Sequence, residues 1–193
     1  MEKISRKHIM NITFQPLVNS HFPLLLKWLE TPHVKAWWDQ DMRWTPELIE
    51  QKYSNYVHGF KRLKLVDQII EKPMHAYIVL CDKIPIGYIQ YYDKHDFPPE
   101  QEYEIAELPK NCAAIDWYIG EPSFIGKGIG SKAMSLFLDN YVFPKFDYVF
   151  VDPETENIGA IRAYEKAGFR EIKRVNDGTI IWMIKEKDNR NYS

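Results

Sequence analysis

In the first seventy residues, apolar side chains recur mostly with the spacing of helices. Asn11–Leu17 alternates apolar and polar side chains and predicts a strand, and the apolar face of His21–Glu30 predicts the first helix. Thr31-Pro32 is expected to end that helix. A threonine followed by proline and glutamate predicts a helix over Thr45–Val57. We predict a further helix over Lys61–Ile70.

From residue 75 onward the apolar period changes from that of helices to that of strands. Strands are predicted at His75–Cys81, Pro85–Tyr92, Ala113–Ile119, Tyr148–Val151, Phe169–Val175 and Thr179–Lys185. Helices are predicted at Gly128–Val142 and Asn157–Ala167. Strand–helix–strand units require a partly parallel sheet. The order therefore indicates an α/β (α+β) fold with a mixed sheet of about seven strands and helices on both faces.

The composition is that of a globular domain. The 193 residues are about one domain's length, 45% of them are hydrophobic, and the net charge is −2. This balance argues against a nucleic-acid binder, and no apolar run approaches the roughly 20 residues that span a bilayer. No signal peptide is visible, so a cytoplasmic location is expected. We expect a flexible leader at 1–10, one domain at 11–187 and a tail at 188–193.

The cysteines and histidines show no metal-ligand spacing. Cys81 and Cys112 are too few for a disulfide framework, and no motif places either as a nucleophile. The six histidines are not spaced as ligands, so no metal is expected. The 6 Trp, 12 Tyr and 10 Phe fit either a flat-walled ligand pocket or a core of large side chains.

A glycine-rich turn follows the strand predicted at 113–119 and precedes a helix. Gly126, Gly128 and Gly130 stand at alternate positions, where backbone N–H groups can turn inward toward an anion. The positive N-terminal end of the next helix adds to this potential. The spacing differs from the dinucleotide-binding and P-loop patterns. We predict a diphosphate-binding turn, the alternative being an ordinary connector.

Two motifs give the chain a family resemblance. Gly128 and Gly130 fill the glycine positions of the Q/R-x-x-G-x-G/A loop of the GCN5-related N-acetyltransferase (GNAT) superfamily, and Ile125 replaces its Gln or Arg. Asn157–Phe169 resembles the second signature, N-x-x-A-x-x-x-Y-x-x-x-G-F. The motifs occur in the expected order, so the chain is identified as a member of this superfamily, with a single acetyltransferase domain at 11–187.

Three further stretches resemble the aminoglycoside 6′-N-acetyltransferases within this superfamily. They are Trp28–Trp38, Pro85–Gln90 and Asp152-Pro153. The W-L-x-x-P-H-x-x-x-W-W run is more specific than the glycine turn, although siderophore and hydroxamate acyltransferases share parts of it. The resemblance implies acetyl transfer from acetyl-CoA to the 6′-amine of an aminoglycoside. Since neither cysteine is placed as a nucleophile, we expect direct transfer in a ternary complex.

The resemblance also implies where acetyl-CoA binds. In this superfamily the strands on either side of the glycine helix splay apart, here those at 113–119 and 148–151, and the cofactor enters the gap. The predicted cofactor-binding residues are Ile119, Gly126, Lys127, Gly128, Ile129, Gly130, Ser131, Asn157, Ala160 and Tyr164.

Three side chains are candidates for the chemistry. Asp116 lies inside an apolar strand. An acid there is costly unless its face of the sheet is hydrated or the carboxylate is paired. Asp116 is therefore a candidate base, or a carboxylate that orients the substrate ammonium. Asp152 ends the next strand, at the edge where open α/β sheets bind ligands, and is a candidate ammonium anchor or alternative base. The resemblance implies that Tyr164 is the general acid for the departing thiolate. The base is one of the two aspartates, or a water relay acts between them and the amine.

Aromatic and acidic side chains are the predicted contacts to the substrate. They are Trp28, Trp37, Trp38, Gln90, Tyr92, Asp116 and Asp152. The tryptophans would form a flat wall for sugar rings or, alternatively, an aromatic hinge between helices. Residues 93–107 hold six acids and one lysine, a local charge of −5 that would steer a cation inward beside the cleft. A small cationic substrate is therefore expected.

Other functions stay open on the sequence alone. The same scaffold serves acyltransferases of other small amines or hydroxylamines, such as siderophore precursors and polyamines, and of protein N-termini or lysines. An acyl-CoA sensor without turnover is a different class, and the intact Asp116, Asp152 and Tyr164 argue against it. A monomer or a homodimer is expected.

Overall fold

The strands form a seven-stranded mixed sheet and a separate two-stranded sheet. The computed structural model describes residues 10–64, 67–97 and 107–188. The strands are β1 (Ile12–Pro16), β2 (Phe60–Lys64), β3 (Ile69–Pro73), β4 (His75–Cys81), β5 (Ile84–Asp93), β6 (Cys112–Ile119), β7 (Tyr148–Val151), β8 (Arg170–Val175) and β9 (Ile180–Glu186). The helices are α1 (Phe22–Leu29), α2 (Pro32–Lys35), α3 (Pro46–Val57), α4 (Ile129–Phe137) and α5 (Ile158–Lys166).

The large sheet opens in its middle. Its strands lie in the order β1-β4-β5-β6-β7-β9-β8, and all neighbours are antiparallel except β6 and β7, between which α4 crosses over. The β6–β7 pairing is short and joins Cys112–Ala114 to Tyr148–Phe150. Within the described ranges, β6 continues to Ile119 without a β7 partner. The predicted splay between these two strands is confirmed, and it leaves a gap at their carboxyl ends.

Helices cover both faces of the sheet, as predicted. On one face α4 and α5 bury Phe137 and Tyr164 against the sheet. On the other face α1 and α3 bury Trp28 and Tyr53 against Tyr88 of β5. Fully burying a large apolar side chain contributes roughly 1.5–3 kcal/mol, so both layers are firmly attached. The predicted α/β (α+β) class with a seven-stranded mixed sheet is confirmed.

Polar caps fix two predicted helix starts. Thr45 Oγ1 accepts a hydrogen bond from Leu48 N at 3.3 Å, and Pro46 occupies the first helical position of α3. Asn157 Oδ1 accepts from Ala160 N at 3.1 Å and caps α5 in the same way. These short-range hydrogen bonds explain why both starts are readable from the sequence.

The predicted helix over Lys61–Ile70 is wrong. The segment forms the hairpin of β2 and β3, with residues 65–66 outside the described ranges. Arg62 lies opposite Glu71, with Nε 3.0 Å from Oε1, and such cross-strand pairs of opposite charge favour a hairpin. Gly59, with a φ of +86°, turns the chain out of α3, since glycine tolerates this conformation.

Two further stretches differ from the predicted pattern of helices. Thr31-Pro32 follows the end of α1 as predicted, but Pro32 also begins α2, because its fixed φ suits a first helical turn. The helix predicted over Gly128–Val142 is α4 as far as Phe137, after which Leu138–Val142 widens into a π turn.

Parts of three predictions lie outside the described residues. They are the leader apart from Met10, the tail apart from Asp188, and residues 98–106 of the acidic segment. In the part of the chain that the structure describes, no helix has the length and apolar character needed to cross a membrane.

Candidate active site

A cleft of about 720 Å³ opens where β6 and β7 part. One end, the glycine end, is formed by the turn Gly126–Ser131 and the first turns of α5. The other, the carboxylate end, holds Asp116 of β6 and Asp152 after β7, with Trp37 and Trp38 beside them. Strand ends that separate leave backbone groups unpaired and a crevice between them, which is where open α/β sheets bind ligands.

The glycine end is shaped by the backbone. Gly126 and Gly128 have φ of +74° and +73°, and a Cβ at either would find nothing within 4 Å. Left-handed glycines in succession aim N–H groups at one concave space, and the start of α4 adds its positive end. Gly130 is tighter, because a Cβ there would lie 3.0 Å from Cη2 of Trp117. The turn can therefore hold an anionic group against bare backbone.

The other predicted members of this end occupy different positions. Ser131 lines the cleft, and its hydroxyl donates to Gly128 O at 3.3 Å. Ile129 is buried in the core and contributes its backbone at the helix start. Lys127 is not among the cleft-lining residues, and its ammonium lies 5.9 Å from the ring of Phe124.

Strand β6 and helix α5 face each other across the gap. Ile119 lines the cleft, and His33 Nε2 lies 2.9 Å from its carbonyl oxygen. Ala160 and Tyr164 of α5 and its N-cap residue Asn157 all line the cleft. The structure therefore brings together eight of the ten predicted cofactor contacts as lining residues, without Lys127 and the Ile129 side chain.

A directed chain of hydrogen bonds ends at Asp116. The Tyr88 hydroxyl donates to Gln90 Oε1 at 2.6 Å, and Gln90 Nε2 donates to Asp116 Oδ2 at 2.8 Å. Burial raises the pKa of the nearby Tyr92 hydroxyl, and the charge of Asp116 raises it further. Gln90 is only 7% exposed, so its amide is fixed by these partners. Gln90 and Tyr92, predicted to contact substrate, are not among the residues that line the cleft, and Gln90 instead orients the Asp116 carboxylate.

Asp152 lies at the end of β7. Its side chain is exposed to the cleft, although the surrounding protein partly desolvates its carboxyl group. Burial raises the pKa of this carboxyl, the Lys94 ammonium lowers it, and the Asp116 charge raises it again. Lys94 is itself buried, with Nζ 5.0 Å from the ring of Phe150. The net effect is a raised pKa, so the carboxylate gains from a cationic ligand.

Tyr164 lies between the two ends. Its ring packs 5.5 Å from Phe169, and its side chain lines the cleft. Burial and the Asp116 charge raise the pKa of its hydroxyl, while a hydrogen bond with the Trp117 indole lowers it. The hydroxyl is therefore protonated at neutral pH, with a donor placed to stabilise the phenolate it would leave.

Of the three tryptophans predicted to form a wall, two line the cleft and Trp28 does not. Trp37 and Trp38 line the cleft, and Trp37 is 40% exposed. Trp28 has no exposed surface, and its Nε1 donates to Glu121 Oε1 at 2.8 Å. A Cβ on Gly120 would lie 2.1 Å from its ring, so the indole is locked in the core. Trp28 is therefore a core residue and does not line the cleft.

Sequence reasoning missed several cleft residues. His33, Trp117, Glu154, Glu156, Arg162 and Lys166 line the cleft without a predicted role. His33 stands inside the tryptophan run and Arg162 inside the second signature, so motif membership was an available signal. Glu154 and Glu156 alternate with Asp152, which was a visible run of acids. Trp117 belongs to neither motif, and it lines the cleft although it alternates with Asp116 along β6.

The two cysteines are unreactive in this fold. Cys81 and Cys112 are buried free thiols, and burial raises the pKa of Cys112 to about 12. A thiol in that state is not a nucleophile at neutral pH. Among residues 10–64, 67–97 and 107–188, no group of three or more His, Cys, Asp or Glu side chains is arranged to hold a metal ion.

The splayed sheet, the glycine turn and the capped α5 define an acetyltransferase of the GNAT class. The family model described as an acetyltransferase (GNAT) domain matches residues 18–177, and the chain belongs to that family. The resemblance predicted from the two motifs is confirmed.

Relatives of this chain include aminoglycoside acetyltransferases and a kanamycin resistance protein. The chain is 26% identical over 181 residues to aminoglycoside N(6′)-acetyltransferase type 1 of Klebsiella pneumoniae, covering 92% of this chain and 84% of the relative. A kanamycin resistance protein of Rhizobium radiobacter is 33% identical over 84 residues, which are 42% of this chain and 78% of that protein. The solved structure of AAC(6′)-Ib with ribostamycin and coenzyme A is 26% identical, with a TM-score of 0.75 over 95% of this chain and 98% of that one.

Proposed function

We propose that this acetyltransferase moves an acetyl group from acetyl-CoA to the 6′-amine of an aminoglycoside by direct transfer. One observation carries the proposal: a single cleft joins an anion-binding glycine turn to a pair of carboxylates. The first suits a diphosphate and the second an ammonium group. The named relatives act on or are bound to aminoglycosides, which supports this acceptor.

The glycine end fits coenzyme A. Its left-handed glycines leave open the space that a Cβ would fill, so the backbone can approach a diphosphate closely. We assign the cofactor to the lining residues Ile119, Gly126, Gly128, Gly130, Ser131, Asn157, Ala160 and Tyr164, with the Ile129 N–H at the helix start. When bound, acetyl-CoA supplies the thioester carbonyl that the acceptor amine attacks.

Asp116 is the proposed base. An aminoglycoside amine arrives mostly protonated and must lose a proton before it attacks a carbonyl. Gln90 occupies Oδ2 of Asp116, so the proton goes to the oxygen left free by that hydrogen bond. Asp152 is the proposed ammonium anchor, because a bound cation offsets the free-energy cost of holding a desolvated carboxylate. Asp152 also remains the alternative base, directly or through water.

Tyr164 is the proposed general acid. As the C–N bond forms and the C–S bond breaks, the leaving sulfur needs a proton, and Tyr164 Oη supplies it. The raised pKa keeps the hydroxyl protonated until that moment, and the Trp117 indole stabilises the resulting phenolate. The buried thiols of Cys81 and Cys112 offer no covalent alternative, which favours direct transfer.

The decisive experiment follows thiol release from acetyl-CoA with kanamycin, tobramycin or amikacin. Release that requires one of these acceptors is expected. Paromomycin is the matched control, since its 6′ position carries a hydroxyl in place of the amine, and no release is expected with it. Acetyl-CoA binding without release for any aminoglycoside would overturn the acceptor and direct the search to siderophore precursors, polyamines and protein N-termini.

A further inference from the structure

A second groove adjoins the glycine end of the cleft. It has a volume of about 330 Å³ and lies between one face of α4 and the last turn of α5. Its lining residues are Ser131, Lys132, Ser135, Leu136, Asp139 and Lys166. Ser131 and Lys166 also line the cleft, so the two spaces meet at the first turn of α4. We call this second space the α4–α5 groove.

Two lysine ammonium groups line the α4–α5 groove. Lys132 Nζ donates to Met10 O at 2.9 Å, and an ammonium that makes one such bond keeps two further N–H donors. Lys166 is exposed in the last turn of α5, and among the described residues no carboxylate pairs with its ammonium. Ammonium donors on a concave surface beside an anion-binding turn indicate a ligand that carries a second anionic group.

The acid of the α4–α5 groove lies at its far end. Asp139 follows Ser131 by eight residues of helical chain, which is about 12 Å at 1.5 Å per residue. That separation exceeds the screening length of roughly 8 Å at physiological salt. Asp139 therefore offers little opposition to an anion held beside Ser131, where the groove meets the cleft.

The glycine turn does not supply positive charge to the cleft itself. Ile125 stands where the GNAT loop carries Gln or Arg, lines the cleft and is 46% exposed. An apolar side chain donates no hydrogen bond to a phosphate. The lysine and the arginine that line the cleft, Lys166 and Arg162, both belong to α5 and stand one turn apart on the same side of it. Positive charge therefore comes from α5.

We propose that the α4–α5 groove holds the 3′-phosphate of coenzyme A, with Lys166 as its principal contact and Lys132 as the second. The 3′-phosphate is joined to the diphosphate through one ribose, so a diphosphate in the glycine turn brings it within reach of the shared residues Ser131 and Lys166. Lysine binds phosphate as a point charge with charge-assisted hydrogen bonds. Lys166 thus distinguishes coenzyme A from a donor that lacks this phosphate. The inference rests on the proposed function only in taking coenzyme A as the cofactor.

The test deletes one phosphate from the ligand. Coenzyme A and 3′-dephospho-coenzyme A differ only in that group, and titration calorimetry measures the Kd of each without turnover. The wild type should bind coenzyme A roughly tenfold more tightly, which is the effect of a hydrogen bond to a charged group. In Lys166→Met the Kd of coenzyme A should rise roughly fivefold, as for an exposed ion pair, with that of the dephospho form unchanged. Lys166→Arg keeps the charge and should keep the preference.

Lys64→Met is the matched control, because it removes the same charge from an exposed position in β2 that lines neither space, and it should leave both Kd values unchanged. Equal Kd values for the two ligands in the wild type overturn the phosphate site and leave the proposed function intact. An equal loss for both ligands in Lys166→Met overturns the assignment of the phosphate to Lys166. The expected preference in a protein that releases no thiol with any aminoglycoside supports the phosphate site and overturns the proposed acceptor. A wild type that binds neither ligand overturns both.

Discussion

The two ends of the cleft are built by different means. The glycine end presents backbone N–H groups from a single short stretch of chain, with glycines at φ of +74° and +73°. The carboxylate end presents side chains from separate elements, each held by another side chain, as Tyr88 and Gln90 hold Asp116. The first construction needs only local sequence, whereas the second depends on how β5, β6 and α3 pack.

This difference has a functional consequence. A backbone site recognises a group that all relatives share, because a peptide N–H is the same in any sequence. A side-chain site can change its substrate by replacing one residue, as long as the supporting hydrogen bonds persist. If the ends are independent, a substitution at one should leave the ligand of the other unaffected.

Loss of the Asp116 charge should have the largest effect at the carboxylate end without an effect on the ligand of the glycine end. In Asp116→Asn the amide cannot accept the amine proton, and general-base removal typically lowers rates by roughly 10²–10⁴-fold. We expect kcat/KM for kanamycin to fall by that amount and the Kd of acetyl-CoA to stay unchanged. Thiol release and calorimetry measure the two quantities. If Asp152→Asn shows the larger loss of kcat instead, the roles of the two aspartates are exchanged.

A substitution in the glycine turn should have the opposite effect, weakening acetyl-CoA binding and leaving kanamycin binding unchanged. Gly128→Ala places a Cβ on a residue with a φ of +73°, which costs about 1–2 kcal/mol in that conformation. We expect the turn to relax away from its anion-binding shape, so acetyl-CoA binds about tenfold more weakly at unchanged kanamycin affinity. Gly178→Ala is the control, because it imposes the same strain at φ of +85° in the β8–β9 turn. An equal loss of acetyl-CoA affinity in the control would show that the effect is one of general stability.

The fold was largely predictable because its signals are local. Alternation located the seven strands of the large sheet, and caps such as Thr45 and Asn157 located helix starts. The helix expected over Lys61–Ile70 failed because cross-strand pairs such as Arg62 with Glu71 involve residues nine positions apart. No window of local periodicity contains that information.

The site was predictable to a different extent at each end. The glycine turn is contiguous, so its members were identified together. At the carboxylate end alternation gave the face of a residue but not what packs on it. Gln90 was therefore expected to contact substrate. In the structure it is only 7% exposed and is hydrogen-bonded to Asp116. Trp28 was expected in a wall and is locked in the core by its contact with Gly120.

Gln90 offers a finer test of the side-chain construction. Gln90→Met keeps the volume and removes both hydrogen bonds, so Asp116 loses the donor to Oδ2 and Tyr88 loses its acceptor. Leaving buried groups unpaired costs about 1–3 kcal/mol, so Tm should fall, and a less oriented Asp116 should lower kcat about tenfold. Gln90→Glu keeps an acceptor for Tyr88 but places a second carboxylate against Asp116, so it should recover neither stability nor kcat. Unchanged kcat in Gln90→Met would mean that Asp116 needs no orienting partner.

The smallest effect concerns the stability of the carboxylate end and its dependence on pH. Burial raises the pKa of Asp152 above its usual 3.8. Below that usual value the carboxyl is protonated in the folded and the unfolded chain alike. As pH rises through the raised folded pKa, the unfolded chain ionises more easily than the folded one, so the free energy of unfolding decreases. Asp152→Asn cannot ionise and should escape this loss.

Urea unfolding of the wild type and Asp152→Asn between pH 4 and 7 measures the difference. As pH rises, the variant should become the more stable protein, with the larger free energy of unfolding. The margin between the two free energies should be small, because water in the cleft screens the carboxylate. Lys94→Met should widen the margin, since the Lys94 ammonium lowers the pKa of Asp152 and partly offsets burial. Double-mutant comparison isolates this coupling. A margin that is constant with pH would show that Asp152 ionises in the fold as freely as in the unfolded chain, and its role as an anchor would then rest on position alone.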